Sequence, residues 1–302
     1  MPDWIAVDWG TSHLRVWLME RSGAAIGQRT SSRGMGTLAP HEFEPVLLDL
    51  IADSLPDAGP LPVVCCGMVG ARQGWSEAAY ASLPCPPPTT ETATRVACED
   101  GRIEVFILPG VKQADPPDVM RGEETQIAGF LAQEPAFDGV LCLPGTHTKW
   151  VRVSGGEITG LRTFMTGELF ALLSTRSVLR HSVGGDAFDA ADFRRAVSGI
   201  VDDPAGLAAR LFSIRAGSLL DGDDPGRSRA TLSGLLIGAE LAASADIWKG
   251  RNVCIIGAGG LSDLYRQAIE TKQVSVRTVS GDGMTLAGLV AAYRELRKTH
   301  QP

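Results

Sequence analysis

Hydrophobic and polar positions follow one pattern at two places in the chain. In residues 5–19, the apolar run Ile5-Ala6-Val7 ends in Asp8-Trp9. The turn Gly10-Thr11-Ser12-His13 follows, and Leu14-Arg15-Val16-Trp17-Leu18-Met19 then mixes apolar and polar positions. This reads as strand, tight turn, strand. Residues 140–153 repeat the design, with apolar Val140-Leu141-Cys142-Leu143, the turn Pro144-Gly145-Thr146-His147, and an alternating Thr148-Lys149-Trp150-Val151-Arg152-Val153. The likeness continues beyond the turns: Ser22-Gly23, Ile26, Gly27 and Arg29-Thr30 are matched by Ser154-Gly155, Ile158, Gly160 and Arg162-Thr163. Self-similarity on this scale implies a duplicated domain, because solenoid repeats are far shorter. Glu134-Pro135 marks the expected boundary, giving lobes 1–135 and 136–302, with the last helix a candidate to pack back on the first lobe.

Between the repeats the periodicity changes. Phe43, Val46, Leu47, Leu50 and Ile51 recur at helical spacing within residues 42–54. Residues 62–66 read as a short buried strand, 102–108 as containing another strand, and 109–122, polar and proline-bearing, as a loop. Glu123 opens a helix through about residue 132. In the second half, residues 165–248 read as largely helical. Asp221, Asp223 and Asp224 lie in a solvated turn that lacks the pattern of a calcium loop. Strands are expected at 252–256 and 274–279, and a final helix at 284–298.

Composition narrows the class. The 302 residues are 44% hydrophobic, enough for one or two buried cores. A net charge of −7 with interspersed signs offers no nucleic-acid surface, and no apolar run has the roughly 18 residues a membrane span requires. Met1-Pro2-Asp3-Trp4 leads directly into a strand without a basic leader, and the six cysteines form no C-x-x-C pair. The expectation is a cytoplasmic protein with buried free thiols.

The turns suggest the chemistry. Gly10 lets a ligand approach the backbone, Thr11 and Ser12 offer hydroxyls and N–H groups to an anion, and Asp8 suits a divalent cation. An ordinary hairpin would carry the same turn residues. With Gly145, Thr146, His147, Thr148 and Lys149 forming a second such hairpin, two lobes would clamp Mg-ATP between them. Gly257-Ala258-Gly259-Gly260 follows a strand and opens a helix, but Ser262 stands where a dinucleotide fingerprint needs its third glycine, so Gly259 and Gly260 are read as the seat of an adenosine. Walker A, protein-kinase and G-x-S-x-G signatures are missing. The glycine-rich loop 67–75 carries Arg72, suited to a carboxylate, and Trp75, suited to a sugar face; an exposed arginine and a core tryptophan would look the same. Glu123 and Glu124 are candidates for a general base, or simply for favouring a helix N-terminus.

Five strings go further: Val7-Asp-Trp-Gly-Thr-Ser12, Cys66-Gly-Met-Val-Gly-Ala-Arg-Gln-Gly-Trp75, Met120-Arg-Gly-Glu-Glu-Thr-Gln126, Leu143-Pro-Gly-Thr-His-Thr-Lys-Trp150 and Phe164-Met-Thr-Gly-Glu-Leu169. With them the chain resembles, essentially end to end, the 2-dehydro-3-deoxygalactonokinase family of the actin and hexokinase superfamily. That resemblance implies a two-lobed, ribonuclease H-like α/β fold with a nucleotide cleft between the lobes. It also implies ATP- and Mg²⁺-dependent phosphorylation of the C6 hydroxyl of 2-dehydro-3-deoxy-D-galactonate. Arg72 and Arg121 become candidates for the substrate carboxylate. Hexokinase-type enzymes have Asp where this chain has Glu123 or Glu124, which keeps Asp115 and Asp118 in play as the base. The partner is a small sugar acid, and a homodimer is compatible with the family. Competing readings are a kinase of the gluconate-derived epimer or another sugar acid, an ATPase or phosphatase of this fold, and a sugar-responsive regulator.

Overall fold

The alternating N-terminal stretch folds as an antiparallel meander in a computed structural model that describes residues 1–57, 59–222 and 224–299. Strands β1 (Trp4–Trp9), β2 (Leu14–Met19) and β3 (Ala25–Ser31) are followed by helix α1 (Phe43–Ile51) and β4 (Leu61–Gly67). Then come β5 (Tyr80–Ser82), β6 (Thr94–Val96), β7 (Ile103–Ile107), β8 (Gly110–Gln113), β9 (Asp118–Met120) and α2 (Glu123–Gln133). The second half opens on β10 (Gly139–Leu143), β11 (Thr148–Ser154) and β12 (Glu157–Phe164). It continues through α3 (Thr166–Arg176), α4 (Ala190–Asp202), α5 (Leu207–Leu220), α6 (Pro225–Ala243) and α7 (Ala245–Trp248). β13 (Val253–Ile256), α8 (Gly259–Glu270), β14 (Val276–Val279) and α9 (Gly281–Thr299) complete it.

Two units result. The first comprises Met1–Phe137, Ser154–Gly160 and Gly281–Pro302, the second Asp138–Val153 and Leu161–Ser280. Their main sheets share one strand order, β3-β2-β1-β4-β7-β6 and β12-β11-β10-β13-β14. In each, a hairpin's first strand runs on into parallel neighbours: β1 beside β4, and β10 beside β13. This is the duplication that the two alternating stretches imply.

In the first unit, β1 is covered on both faces, so its apolar run is continuous. Ile5, Val7 and Trp9 face α1 through Phe43, Leu47 and Ile51. Trp4 and Ala6 face α9 through Leu289, Ala292 and Tyr293, with Trp4 stacked on Tyr293 at 4.2 Å between centroids. Asp8 continues the α9-facing series at the C-terminal end of the strand. α2 and α9 cross at glycines: a Cβ on Gly129 would lie 2.0 Å from the Met284 carbonyl oxygen, and one on Gly288 1.9 Å from that of Thr125.

In the second unit, Val140, Cys142, Trp150, Val253 and Ile255 form a sheet face packed under α4, α6 and α8. Residues 109–122 differ from the sequence expectation. They are not a simple loop, since β8 pairs with both β5 and β9 in a separate three-stranded sheet. Strands this short show no readable alternation, and they hold through tertiary pairing rather than local propensity. Asp224 caps α6 by accepting from the Gly226 N–H at 2.8 Å, whereas Asp223 lies outside the described residues. The six cysteines are free, with Cys65, Cys66, Cys142 and Cys254 fully buried. Among the described residues no helix is long and apolar enough to cross a membrane.

Candidate active site

The Asp8 carboxylate sits directly opposite Arg15 in the β1–β2 register. Arg15 donates from Nε to Asp8 Oδ2 at 3.2 Å and also pairs with Asp282 in the first turn of α9. Asp8 Oδ1 accepts a long contact from Cys66 Sγ at 3.9 Å and, unlike Oδ2, meets no cationic side chain among the described residues, so it suits a hydrated cation. Gly67 ends β4 with φ +92, and a Cβ there would come within 2.8 Å of the Trp9 carbonyl oxygen and 3.2 Å of Asp8 Oδ1. Only glycine lets β4 pass this close to the acid.

The turn beyond Asp8 is braced from behind. Met35 N–H donates to the Gly10 carbonyl at 3.0 Å, and Gly36 N–H to that of Thr11 at 2.9 Å. Among the described residues, the N–H groups of Thr11 and Ser12 donate to no protein acceptor, and both residues are exposed. Two fixed N–H groups and two hydroxyls facing solvent suit an anion. The second hairpin has Leu143 where the first has Asp8, so it brings no carboxylate of its own.

At the start of α2 the two adjacent acids have separate environments. Glu124 is 1% exposed, and its oxygens accept from the Gly122 N–H at 2.7 and 2.8 Å. Burial, with the neighbouring Glu123 charge, pushes its pKa up to about 8. Glu123 is half-buried and accepts from the Arg121 N–H at 3.1 Å. Cys66 lies under this cluster, its thiol pushed up by burial and by the Asp8 and Glu124 charges.

Arg121 is pinned: its guanidinium donates to the Ala78 carbonyl at 2.7 Å and to Tyr80 Oη at 3.3 Å while stacking over the Tyr80 ring. Its remaining Nη1 is buried without a hydrogen-bond partner among the described residues. Arg72, by contrast, is exposed and makes no hydrogen bond or ion pair among the described residues. Trp75 packs with Trp9 and Phe43, at 6.2 and 6.3 Å between centroids, so only its outer edge is left for a ligand.

In the second unit, Gly145 and Thr146 form one wall of a groove of about 660 Å³. α3 closes against this turn because Gly167 lacks a side chain, since a Cβ there would sit 2.4 Å from the Gly145 carbonyl oxygen. His147 pairs with Glu168 at 2.6 Å on the outside of the turn. Strand alternation then separates the next two residues. Thr148 is fully buried, 2.8 Å from Tyr265 Oη, and Lys149 is buried towards the opposite face. Gly260 lines the groove, and both it and Gly259 (φ +68) have open space where a Cβ would be. Phe170, Arg229, Asp263 and Leu264 are also among its lining, with Arg229 lying over the Phe170 ring at 5.1 Å. A mostly apolar wall with one guanidinium and bare glycine backbone fits a flat aromatic base leading to phosphates. Phe170, Arg229 and Leu264 carry no motif and could not be named from the sequence.

Comparison with known proteins identifies the family and the fold. The family model for 2-keto-3-deoxy-galactonokinase matches residues 8–292. A protein of Rhizobium meliloti (strain 1021), assigned as a 2-dehydro-3-deoxygalactonokinase, is 45% identical over 299 residues, covering 96% of each chain. The 2-dehydro-3-deoxygalactonokinase of Escherichia coli (strain K12) is 34% identical over 290 residues, covering 95% of this chain and 96% of that one. A Sinorhizobium meliloti crystal structure with the same assignment superposes with TM-score 0.91 at 42% identity, covering 97% of this chain and 99% of that one. The activator of 2-hydroxyisocaproyl-CoA dehydratase from Clostridium difficile shares the fold at TM-score 0.51 and 10% identity, covering 98% and 96%. The chain belongs to the 2-keto-3-deoxy-galactonokinase family and has its two-lobed, actin- and hexokinase-like α/β fold.

Proposed function

We propose that this protein transfers the terminal phosphoryl group of ATP to the C6 hydroxyl of 2-dehydro-3-deoxy-D-galactonate, forming 2-dehydro-3-deoxy-6-phospho-D-galactonate and ADP in cytoplasmic D-galactonate breakdown. The observation that carries this reading is the family match across residues 8–292, which spans both phosphate hairpins and the loop with Arg72.

Each unit contributes its own groups. The groove of the second unit seats the adenosine against Gly259, Gly260, Phe170 and Arg229, and Gly145 and Thr146 meet the phosphates. In the first unit, Thr11 and Ser12 offer N–H and hydroxyl donors to the transferring phosphoryl group. Asp8 Oδ1 would hold Mg²⁺. Among the described residues no three His, Cys, Asp or Glu side chains form a ready cage, and a single carboxylate beside phosphate and water is how Mg²⁺ is commonly held. Bound there, the ion would neutralise phosphate charge.

Arg72, exposed and unpaired, takes the substrate carboxylate, while Arg121 orders the surrounding loop through Ala78 and Tyr80. The C6 oxygen bonds to the terminal phosphorus, the bond to the ADP oxygen breaks, and the hydroxyl proton passes to a carboxylate. Glu123 is assigned as that base because it reaches solvent, whereas Glu124 is interior and largely protonated near neutral pH. Phosphorus NMR of the reaction mixture tests the proposal. A C6 phosphate ester formed in step with ADP supports it, and ADP appearing with inorganic phosphate and no ester would mean hydrolysis instead.

A further inference from the structure

Glu240 is a buried carboxylate that the mechanism above does not use. It lies on α6 with 3% of its surface exposed, and no basic side chain is among its hydrogen-bond partners. Oε1 accepts from Trp150 Nε1 on β11 at 2.7 Å. Oε2 accepts from Tyr265 Oη on α8 at 2.7 Å and from Thr166 Oγ1 in the first turn of α3. Tyr265 Oη in turn lies 2.8 Å from Thr148 Oγ1 on β11. One carboxylate thus ties together three elements that come from well-separated parts of the chain.

Those elements are the walls of the groove. β11 carries the turn with Gly145 and Thr146, α3 carries Gly167 and Phe170, and α8 carries Gly260 and Leu264. α6 itself supplies Leu236 and Ile237, about one helical turn before Glu240. Thr166 and Tyr265 both line the groove while bonding to Glu240. A buried acid without a counter-cation costs stability relative to an apolar side chain. Its position where every wall meets is therefore better explained by placing those walls than by holding the core together.

We propose that Glu240 is a positioning residue for the nucleotide: by accepting from Trp150, Thr166 and Tyr265 it sets the spacing of the phosphate turn, α3 and α8, and thereby the affinity of the groove for ATP. This rests on the reading of the groove as the nucleotide site. Three hydroxyl or indole donors converge on the carboxylate, and two of them are rotatable. Glutamine keeps its carbonyl for the fixed Trp150 N–H and turns its amide towards the hydroxyls of Thr166 and Tyr265, which rotate to accept. Leucine takes the acceptor from the Trp150 indole and the Thr166 hydroxyl and leaves Tyr265 Oη with Thr148 Oγ1 alone. The titratable groups facing Glu240 are Cys142 on β10 and Tyr265 on α8, both kept neutral by burial.

The test measures Mg-ADP affinity by calorimetry, and KM for ATP and for the sugar acid separately, in wild type, Glu240→Gln, Glu240→Leu and Tyr265→Phe. The expectation is that Glu240→Leu raises KM for ATP by about tenfold or more with KM for the sugar acid nearly unchanged. Glu240→Gln should recover to within about threefold, and Tyr265→Phe should fall between the two. Should Glu240→Leu fail to fold, Tyr265→Phe and Glu240→Gln decide by the same split. Equal KM for ATP in all folded variants, or parallel rises in both KM values, would overturn the positioning role. Failure of the wild-type protein to bind Mg-ADP would instead remove the underlying reading of the groove.

Discussion

Gly288→Ala tests how α2, and with it the candidate base, is held in place. A Cβ on Gly288 would lie 1.9 Å from the Thr125 carbonyl oxygen and 2.9 Å from Thr125 Cγ2, where ordinary contact begins at 3.4 Å. The nearest obstacle is a helix backbone atom, so no side-chain rotation relieves it, and α9 must move away by about 1.5 Å. Alanine recovers about 1 kcal/mol of helix propensity over glycine, while overpacking of a tight crossing costs typically 1–3 kcal/mol. Displacing α9 also loosens Leu289, Ala292 and Tyr293 from the sheet, so the net loss should be about 2 kcal/mol, or a Tm drop of roughly 4–8 °C.

The same shift moves Thr125 and therefore the start of α2, so kcat should fall by about tenfold with KM for ATP nearly unchanged. Urea unfolding and thermal melts would be measured beside Gly101→Ala, where a Cβ meets nothing within 4 Å. Gly288→Ala melting within about 1 °C of wild type would refute the close crossing as the determinant of α2 position.

Further expectations follow from individual side chains. Asp8→Asn should leave the melting temperature within a few degrees and reduce kcat by at least about a hundredfold, since a neutral amide is a poor Mg²⁺ ligand; retained turnover would place the ion elsewhere. Arg72→Ala should raise KM for the sugar acid by about tenfold to a hundredfold without changing stability, because the guanidinium holds no protein partner among the described residues; an unchanged KM would remove it from the substrate site. Glu124 has its folded pKa raised from 4.5 to about 8, so the fold prefers the neutral carboxyl. Its stabilising contribution is complete below about pH 4.5 and is lost as pH rises through about 8. Glu124→Gln should therefore flatten the fall of the urea midpoint between pH 5 and 8, gaining about 3 kcal/mol on wild type across that window. Parallel pH curves for the two proteins would contradict the burial argument.

The duplicated sheets were legible because β1 to β3 and β10 to β12 are long enough to show their patterns, and each pair of strands brackets a Gly-Thr turn. β5, β8 and β9 span three or four residues each and were not legible, since their order comes from one another. The adjacent acids Glu123 and Glu124 look alike in sequence, yet successive helical residues point about 100° apart, which buries one and leaves the other at the surface. Arg121 and Trp75 illustrate the same limit. Their types suit a ligand, but Tyr80, Ala78, Trp9 and Phe43 occupy most of their bonding surface. The groove residues Phe170 and Arg229 come from α3 and α6 and meet only through folding.

The most direct test of the central claim is ADP release by the purified protein with Mg-ATP, compared across 2-dehydro-3-deoxy-D-galactonate, its gluconate-derived epimer, plain aldonates, glycerol and no acceptor. The account predicts the highest kcat/KM with the galactonate-derived acid and negligible release without an acceptor. Equal release with and without the acid, or none with any acceptor, would contradict it.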